Sequence, residues 1–194
     1  MYRCLIANRG EIAVRIIRAC REMKIETVAI YAKGDEDSLH VSLADQAICI
    51  GEANPLDSYL NIERIISAAE ITGANAIHPG YGFLSESTTF AEAVEENDIH
   101  FIGPNKKTME MMGDKITARQ TVHAANVPVI PGSDGEVESV DEIKKLAEEI
   151  GYPLVLKAAS GGGGKGIRIV KEPEQLEKSL KEAKSEGQKY FNDD

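Results

Sequence analysis

The sequence predicts an α/β protein: a doubly wound parallel sheet with helices on both faces, followed by a small α+β unit. Short β-type runs alternate with helical patterns over the first hundred residues, which is typical of a parallel sheet. The composition changes after Gly103, and prolines and a glycine between 128 and 132 mark a boundary. We therefore expect one domain at 1–113, a helical linker at 114–130 and a second unit at 131–194.

Five β-type runs define the expected sheet. They lie at residues 4–7, 27–31, 46–50, 75–77 and 100–102. Apolar residues at helical spacing fill the segments between runs, for instance at 12–23 and 62–69. Because such sheets collect ligands at the carboxyl ends of their strands, the loops after Ala7 and Ile77 are candidate binding sites.

The second region predicts a helix at 140–150, two strands at 154–159 and 167–170, and a final helix at 174–184. Two shorter helical patterns, one ending at Gly113 and one near Asn126, precede them. The final helix is rich in lysine and glutamate, so we interpret it as a solvated face with opposite charges four residues apart.

Composition narrows the function classes. The formal net charge is -10 and no basic stripe is present, which argues against a nucleic-acid partner. No run approaches about 18 apolar residues and no signal peptide precedes the first strand, so neither a membrane span nor export is expected. A cytoplasmic protein is therefore predicted. Cys4, Cys20 and Cys49 are odd in number and lie in apolar runs, which favours reduced, buried thiols.

A run of glycines lies between the last two predicted strands. Its members are Gly161, Gly162, Gly163 and Gly164, followed by Lys165 and Gly166. Consecutive glycines lose much conformational entropy when ordered, and they suit a place where backbone N–H groups wrap around a phosphate chain. A flexible surface hairpin is the alternative interpretation.

Two known phosphate-binding motifs do not fit this loop. A P-loop would need glycine at 159 and serine or threonine at 166, where the sequence has Ala159 and Gly166. The G-x-G-x-x-G spacing is met, but a β-type run at 167–170 follows instead of a helix. Strand, glycine loop and strand instead describe a flap that folds over nucleotide phosphates.

Two lysines flank this feature. Lys157 lies inside an apolar strand, where an unpaired buried charge costs several kcal/mol, so its side chain either reaches solvent or meets an anion. Its closeness to the glycine run favours the phosphates of a nucleotide. Lys115 follows Gly113 and Asp114 at a helix start, and its side chain could equally be an ordinary exposed one.

Four further segments carry a resemblance to a known family. They are Ile-Ala-Asn-Arg-Gly-Glu-Ile-Ala at 6–13, Ala-Ile-His-Pro-Gly-Tyr-Gly-Phe-Leu-Ser-Glu at 76–86, Phe-Ile-Gly-Pro at 101–104 and Met-Gly-Asp-Lys at 112–115. With the glycine loop and its lysines, they resemble the biotin carboxylases of the ATP-grasp superfamily, collinearly from about residue 3 onward. The resemblance implies a Rossmann-like pre-ATP-grasp domain at 1–113 and a truncated, incomplete ATP-grasp lid at 131–194.

The resemblance also implies roles for particular residues. The residues implied to bind ATP are Lys115, Lys157, Gly161, Gly162, Gly163, Gly164, Lys165 and Gly166. Tyr81 and Gly82 match a loop that faces the biotin site. His78 is expected to brace that loop rather than to carry a proton.

The remaining matched positions are expected to be structural. Asn8, Arg9 and Glu11 form a turn between strand and helix, with Glu11 a favourable acid in the first helical turn. Arg18 and Glu22 match positions that this family uses at its dimer interface; from the residues alone they are also an ordinary surface pair four apart.

By this resemblance, the function is ATP-dependent carboxylation of biotin with bicarbonate, through carboxyphosphate. ATP, Mg²⁺ or Mn²⁺ and carrier-bound biotin are the implied cofactors, and biotin carboxyl carrier protein, carboxyltransferase subunits and a second copy of the chain are the implied partners. An acetyl-CoA carboxylase of fatty acid synthesis is the preferred parent. No catalytic or metal-binding residue is expected before residue 194, so the isolated chain should be inactive. The alternatives are another ATP-grasp ligase or a non-catalytic dimerisation or folding module.

Overall fold

The computed structural model of the chain describes residues 2–133, 135–137, 139–157 and 166–191. It divides into two units, Met1–Gly113 and Asp114–Asp194. Each unit contains its own sheet and its own buried apolar cluster. Among the helices of these described ranges, none has both the length and the apolar character needed to cross a membrane.

The first unit is built on a five-stranded sheet in which every neighbouring pair is parallel. Its strands are β1 (Arg3–Ile6), β2 (Glu26–Ala32), β3 (Gln46–Gly51), β4 (Ala76–His78) and β5 (His100–Phe101). Their spatial order is β3-β2-β1-β4-β5, with β1 at the centre. The predicted doubly wound parallel sheet is therefore confirmed.

Helices connect these strands. They are α1 (Gly10–Glu22), α2 (Leu39–Leu43), α3 (Ile62–Thr72), α4 (Thr88–Glu96) and α5 (Lys106–Gly113), with a 3-10 turn at Pro55–Asp57. Side chains cap three of them: Asn61 accepts from the N–H of Arg64 in α3, Ser87 accepts from the N–H of Phe90 in α4, and Asn105 accepts from the N–H of Thr108 in α5. Gly73 ends α3 in the left-handed conformation.

The central strand buries both of its faces. Leu5 packs in a cluster with residues of α3 and α4, whereas Cys4 and Ile6 pack against residues of α1 that include Ile17 and Cys20. Successive side chains of a strand point to opposite faces, so β1 needs helices on both sides to keep them from water. The predicted helical cover on both faces is confirmed.

The second unit is smaller. Its elements are α6 (Lys115–Ala124), α7 (Val140–Ile150), β6 (Leu154–Lys157), β7 (Ile167–Val170) and α8 (Leu176–Phe191). The strands pair antiparallel, with Leu154 opposite Val170. The helices cover one face of this sheet through a cluster that contains Ile143 and Leu176.

Three details differ from the sequence predictions. The final helix continues to Phe191 instead of ending at residue 184, because a single glycine at 187 weakens a helix without stopping it. Cys49 is exposed rather than buried, since it lies on β3 at the end of the strand order. Cys4 and Cys20 are buried, as predicted. Helix α2 was not predicted, and residues 158–159 of the expected strand lie outside the described residues.

Candidate functional site

The first candidate region lies where the strand order of the parallel sheet reverses. From β1 the chain winds to β2 and β3 on one side, and then crosses to β4 and β5 on the other. The carboxyl ends of β1 and β4 therefore lie side by side, at the place where this fold class usually has a crevice that holds the ligand. Residues 7–11 line it from one strand and residues 79–83, here called the switch-point loop, from the other.

The backbone of the switch-point loop takes a left-handed conformation at three positions. The φ angles are 67° at Gly80, 72° at Gly82 and 42° at Phe83. A Cβ at Gly80 would lie 2.6 Å from Cγ2 of Ile12, so only glycine fits against α1. Phe83 has a bulky side chain that disfavours a positive φ, so its backbone conformation costs free energy that surrounding contacts must offset.

His78 braces the start of this loop. Its Nδ1 accepts a hydrogen bond from the backbone N–H of Gly80 at 3.0 Å, which requires a ring nitrogen without a proton. Burial lowers the pKa of His78 below its ordinary value, which favours that neutral ring. The predicted bracing role is confirmed.

Asn8 holds the same loop from the side of β1. Its side chain is fully buried, and its amide nitrogen donates to the carbonyl of Pro79 at 2.8 Å and to that of Tyr81 at 2.9 Å. Its amide oxygen accepts from the backbone N–H of Arg9. Glu11 lies in the first turn of α1, where the Tyr81 hydroxyl donates to it at 3.5 Å. The expected structural roles of Asn8 and Glu11 are confirmed.

A buried tyrosine holds the other end of the loop, and sequence reasoning missed it. The Tyr59 hydroxyl accepts from the backbone N–H of Ala32 at 2.9 Å and donates to Asp35 at 2.7 Å. Burial, and then the bond to Asp35, raise the pKa of Tyr59, so the hydroxyl keeps its proton. Its ring stacks on Phe83 with centroids 5.2 Å apart, and the Arg9 guanidinium lies 5.5 Å above it. Tyr59 lies in a loop without periodicity, so no sequence pattern indicated it.

The second candidate region is a cavity of about 850 Å³ inside the second unit, here called the lysine cavity. Lys115 and Lys157 both line it. Asp114 fixes the start of α6, which carries Lys115, by accepting from the backbone N–H of Thr117 at 2.7 Å. Hydrogen bonds with the Thr117 side chain and then with its backbone lower the pKa of Asp114. Two lysines that are 42 positions apart in the sequence thus border one cavity.

The small sheet presents Lys157 on an apolar face. Leu154 and Leu156 belong to the cluster under α7 and α8, so Val155 and Lys157 point to the opposite face. Val155 is 60% exposed, and Ile169, its partner on β7, is 62% exposed. Sequence reasoning identified the lysine but missed these flanking aliphatic side chains, although strand alternation implies them.

The four residues of the glycine run lie outside the described residues, and so does Lys165. Gly166 is described: it is buried, its φ is 70°, and its N–H donates to Glu186 of α8 at 3.1 Å. Glu186 also pairs with Arg168, whose guanidinium reaches Glu182 at 3.3 Å. The chain leaving the glycine run is therefore tied to α8.

The other predicted positions are found as follows. Arg18 and Glu22 lie on the exposed side of α1. Within the part of the chain that the structure describes, no group of three or more His, Cys, Asp or Glu side chains could hold a metal ion.

A doubly wound domain followed by a small α+β unit, with Lys115 and Lys157 among the residues that line one cavity, fits a protein of the ATP-grasp class. Family models agree with the two units: residues 1–109 match the biotin carboxylase N-terminal domain, and residues 114–194 match the ATP-binding domain of the carbamoyl-phosphate synthase L chain. The first match covers more than half of the chain. The chain therefore belongs to the biotin carboxylase family.

Curated relatives agree with this family. The chain is 54% identical over 187 residues to biotin carboxylase 1 of Bacillus subtilis, covering 96% of this chain and 42% of that protein. It is 52% identical over 195 residues to the biotin carboxylase of Haemophilus influenzae, covering 100% and 44%. The small subunit of 2-oxoglutarate carboxylase from Hydrogenobacter thermophilus is 53% identical, with 96% and 39% covered. The chain thus spans about two fifths of the length of these relatives.

Solved structures give the same family. A biotin carboxylase from Campylobacter jejuni, described as a β-γ-ATP complex, matches with a TM-score of 0.86 and 51% identity over 98% of this chain and 43% of that one. The biotin carboxylase domain dimer of the Hydrogenobacter thermophilus 2-oxoglutarate carboxylase matches with a TM-score of 0.81 and 52% identity, over 98% and 42%. That structure is described as a complex with MgADP, ADP and bicarbonate.

Proposed function

We propose that the enzyme containing this chain carboxylates biotin with bicarbonate at the expense of ATP. The observation that carries the proposal is the lysine cavity, whose lining includes both Lys115 and Lys157, the last residue of β6. Positively charged side chains suit the negative charge that develops on a transferred phosphoryl group. Membership of the biotin carboxylase family supports this assignment.

In this proposal, the second unit holds the nucleotide. Lys115 and Lys157 contact its phosphates, and the backbone of residues 161–166 closes over them. The exposed side chains of Val155 and Ile169 offer an apolar surface of the kind that a nucleotide base covers. Lys157 is exposed, so its ammonium group is accessible to an anion that arrives from solvent.

The first unit contributes to the biotin site. Tyr81 is 65% exposed, and its loop borders the crevice at the strand-order reversal. We propose that Tyr81 and Gly82 face the biotin ring, which arrives on a biotin carboxyl carrier protein. Magnesium accompanies the nucleotide, and no metal-dependent step is assigned to the described residues of this chain.

The wider assignment is an acetyl-CoA carboxylase of fatty acid synthesis, acting in the cytoplasm with carboxyltransferase subunits. The homodimer is proposed to use Arg18 and Glu22, since both lie on the exposed side of α1. A keto-acid carboxylase is the alternative that the Hydrogenobacter relative raises. The acceptor that supports turnover by the assembled enzyme, acetyl-CoA or a 2-oxo acid, distinguishes them.

The proposal is tested by substituting Lys157 in the enzyme that contains this chain. Lys157→Gln should raise KM for ATP about ten-fold or more, because a charged hydrogen bond to phosphate is lost. Lys171→Gln, an exposed position in the same unit, is the matched control and should leave KM for ATP unchanged. ATP turnover that biotin does not stimulate would instead indicate another ATP-grasp ligase.

A further inference from the structure

We infer that Asn8 is a positioning residue that holds the switch-point loop in the conformation that receives biotin. Biotin as the ligand rests on the proposed function. The positioning role rests on the two hydrogen bonds of Asn8 to this loop, which are here called the clamp. No other side chain of the described residues is seen to donate to two carbonyls of this loop.

The two bonds of Asn8 span the sharpest part of the loop. One amide nitrogen donates to the carbonyls of Pro79 and Tyr81, which lie on either side of Gly80. Both of its N–H groups are thereby used, while the amide oxygen is held by the N–H of Arg9. Since Asn8 is fully buried, water cannot easily replace these bonds, and their loss leaves polar groups unsatisfied.

The far end of the loop is held independently. The Tyr59 ring stacks on Phe83, and its hydroxyl is fixed by Asp35 and by the backbone of β2. Held at both ends, the loop keeps a left-handed conformation at Phe83 that an isolated segment would leave. A segment that only connected β4 to α4 would need neither the strained residue nor the buried amide.

The clamp explains how an exposed loop can bind with little ordering cost. Tyr81 is 65% exposed, but its backbone carbonyl is bonded to Asn8. The side chain is therefore presented from a fixed backbone before any ligand arrives, and less conformational entropy is lost on binding. Removal of the clamp should weaken ligand binding at this loop and leave the lysine cavity unaffected.

The kinetic test uses Asn8→Ala in the enzyme that contains this chain. KM for free biotin should rise about ten-fold, because the free energy needed to order the loop then reduces the binding free energy. KM for ATP and the bicarbonate-dependent ATP hydrolysis measured without biotin should stay within about two-fold of wild type. Asn97→Ala, which removes an exposed amide bonded to Ala93, is the matched control and should change none of these constants.

A second variant perturbs the loop without a substitution at Asn8. Gly80→Ala places a methyl group 2.8 Å from the Asn8 amide nitrogen and 2.6 Å from Ile12, so the loop must move. It should reproduce the selective rise in KM for biotin. A parallel fall in all kinetic constants together with a lower melting temperature would instead assign Asn8 a purely structural role and overturn the inference.

Hydrogen exchange of this chain tests the clamp apart from the function. Backbone amides of residues 80–83 should exchange faster in Asn8→Ala than in wild type or Asn97→Ala, as expected when a local opening becomes easier. Unchanged exchange would overturn the inference even if the enzyme is biotin-dependent. Faster exchange in an enzyme that biotin does not stimulate would uphold the clamp and reject biotin as its ligand.

Discussion

Single residues show where sequence reasoning succeeds and where it fails. His78 was predicted to brace a loop because a histidine at a strand end has a local use, and its bond to Gly80 is local. Tyr59 was not predicted, because its partners Asp35 and Phe83 lie 24 residues away on either side and only the fold brings them together. Contacts of that kind leave no periodic trace in a sequence.

A second buried histidine gives the first unit a pH-dependent stability. His40 is 1% exposed, and its Nε2 lies 3.2 Å from the carbonyl of Ile30. Its Nδ1 has no hydrogen-bond partner among the described residues. Burial lowers the pKa of His40 below its ordinary value of 6.5, despite the opposing effects of Ile30 and Asp35, so the folded protein keeps the ring neutral.

We expect the free energy of unfolding to fall below pH 6.5. The unfolded chain then binds protons that the folded chain does not, so stability is full above the unfolded pKa and is lost as pH falls towards the folded one. For His40 the slope is at most about 1.4 kcal/mol per pH unit. His40→Gln can still donate to Ile30 but does not titrate, so urea unfolding between pH 7 and 5 should show a shallower slope. An equal slope in both proteins would contradict this.

At the scale of elements, strand β6 packs one face against the helices of the second unit and exposes the other face. Its alternation was hidden in the sequence, since Leu154, Val155 and Leu156 are all apolar. Helix α8 was interpreted as a solvated face with pairs along the helix, but Glu182 and Glu186 instead pair with Arg168 of β7. The partner strand could not be inferred without the fold.

The ion pairs of Arg168 in β7 with Glu182 and Glu186 in α8, here called the tie, should contribute measurably to the stability of the second unit. A double-mutant cycle with Arg168→Ala and Glu186→Ala should give a favourable coupling that shrinks in 1 M salt, because the groups are partly exposed. The exposed pair of Lys144 and Asp141, 4.0 Å apart, is the control and should give a smaller coupling. Equal couplings for both pairs would show that the tie is incidental.

At the scale of the whole molecule, the family and fold class were predictable and the complete site was not. The motifs at residues 6–13 and 76–86 are contiguous in the sequence, so they could be recognised without the fold. They identified the family that the comparisons confirm. The apolar clusters of the two units share no residue, which suggests that each core forms on its own. The roles assigned to Lys115, Lys157 and Tyr81 remain predictions.

We expect residues 1–113 to fold independently of the rest of the chain. All members of the two clusters around the parallel sheet lie within that range, and a domain of about 100 residues buries enough surface for a cooperative transition. Circular dichroism of this segment during heating should show one sigmoidal transition. A gradual, non-cooperative loss of signal would mean that the second unit is needed for the fold.

The most direct test of the proposed function is transfer of label from [¹⁴C]bicarbonate to biotin by the enzyme that contains this chain. We expect ATP-dependent formation of acid-labile carboxybiotin, strongly reduced by Lys157→Gln and retained in Lys171→Gln. Hydrolysis of ATP without any label on biotin would contradict the proposed function.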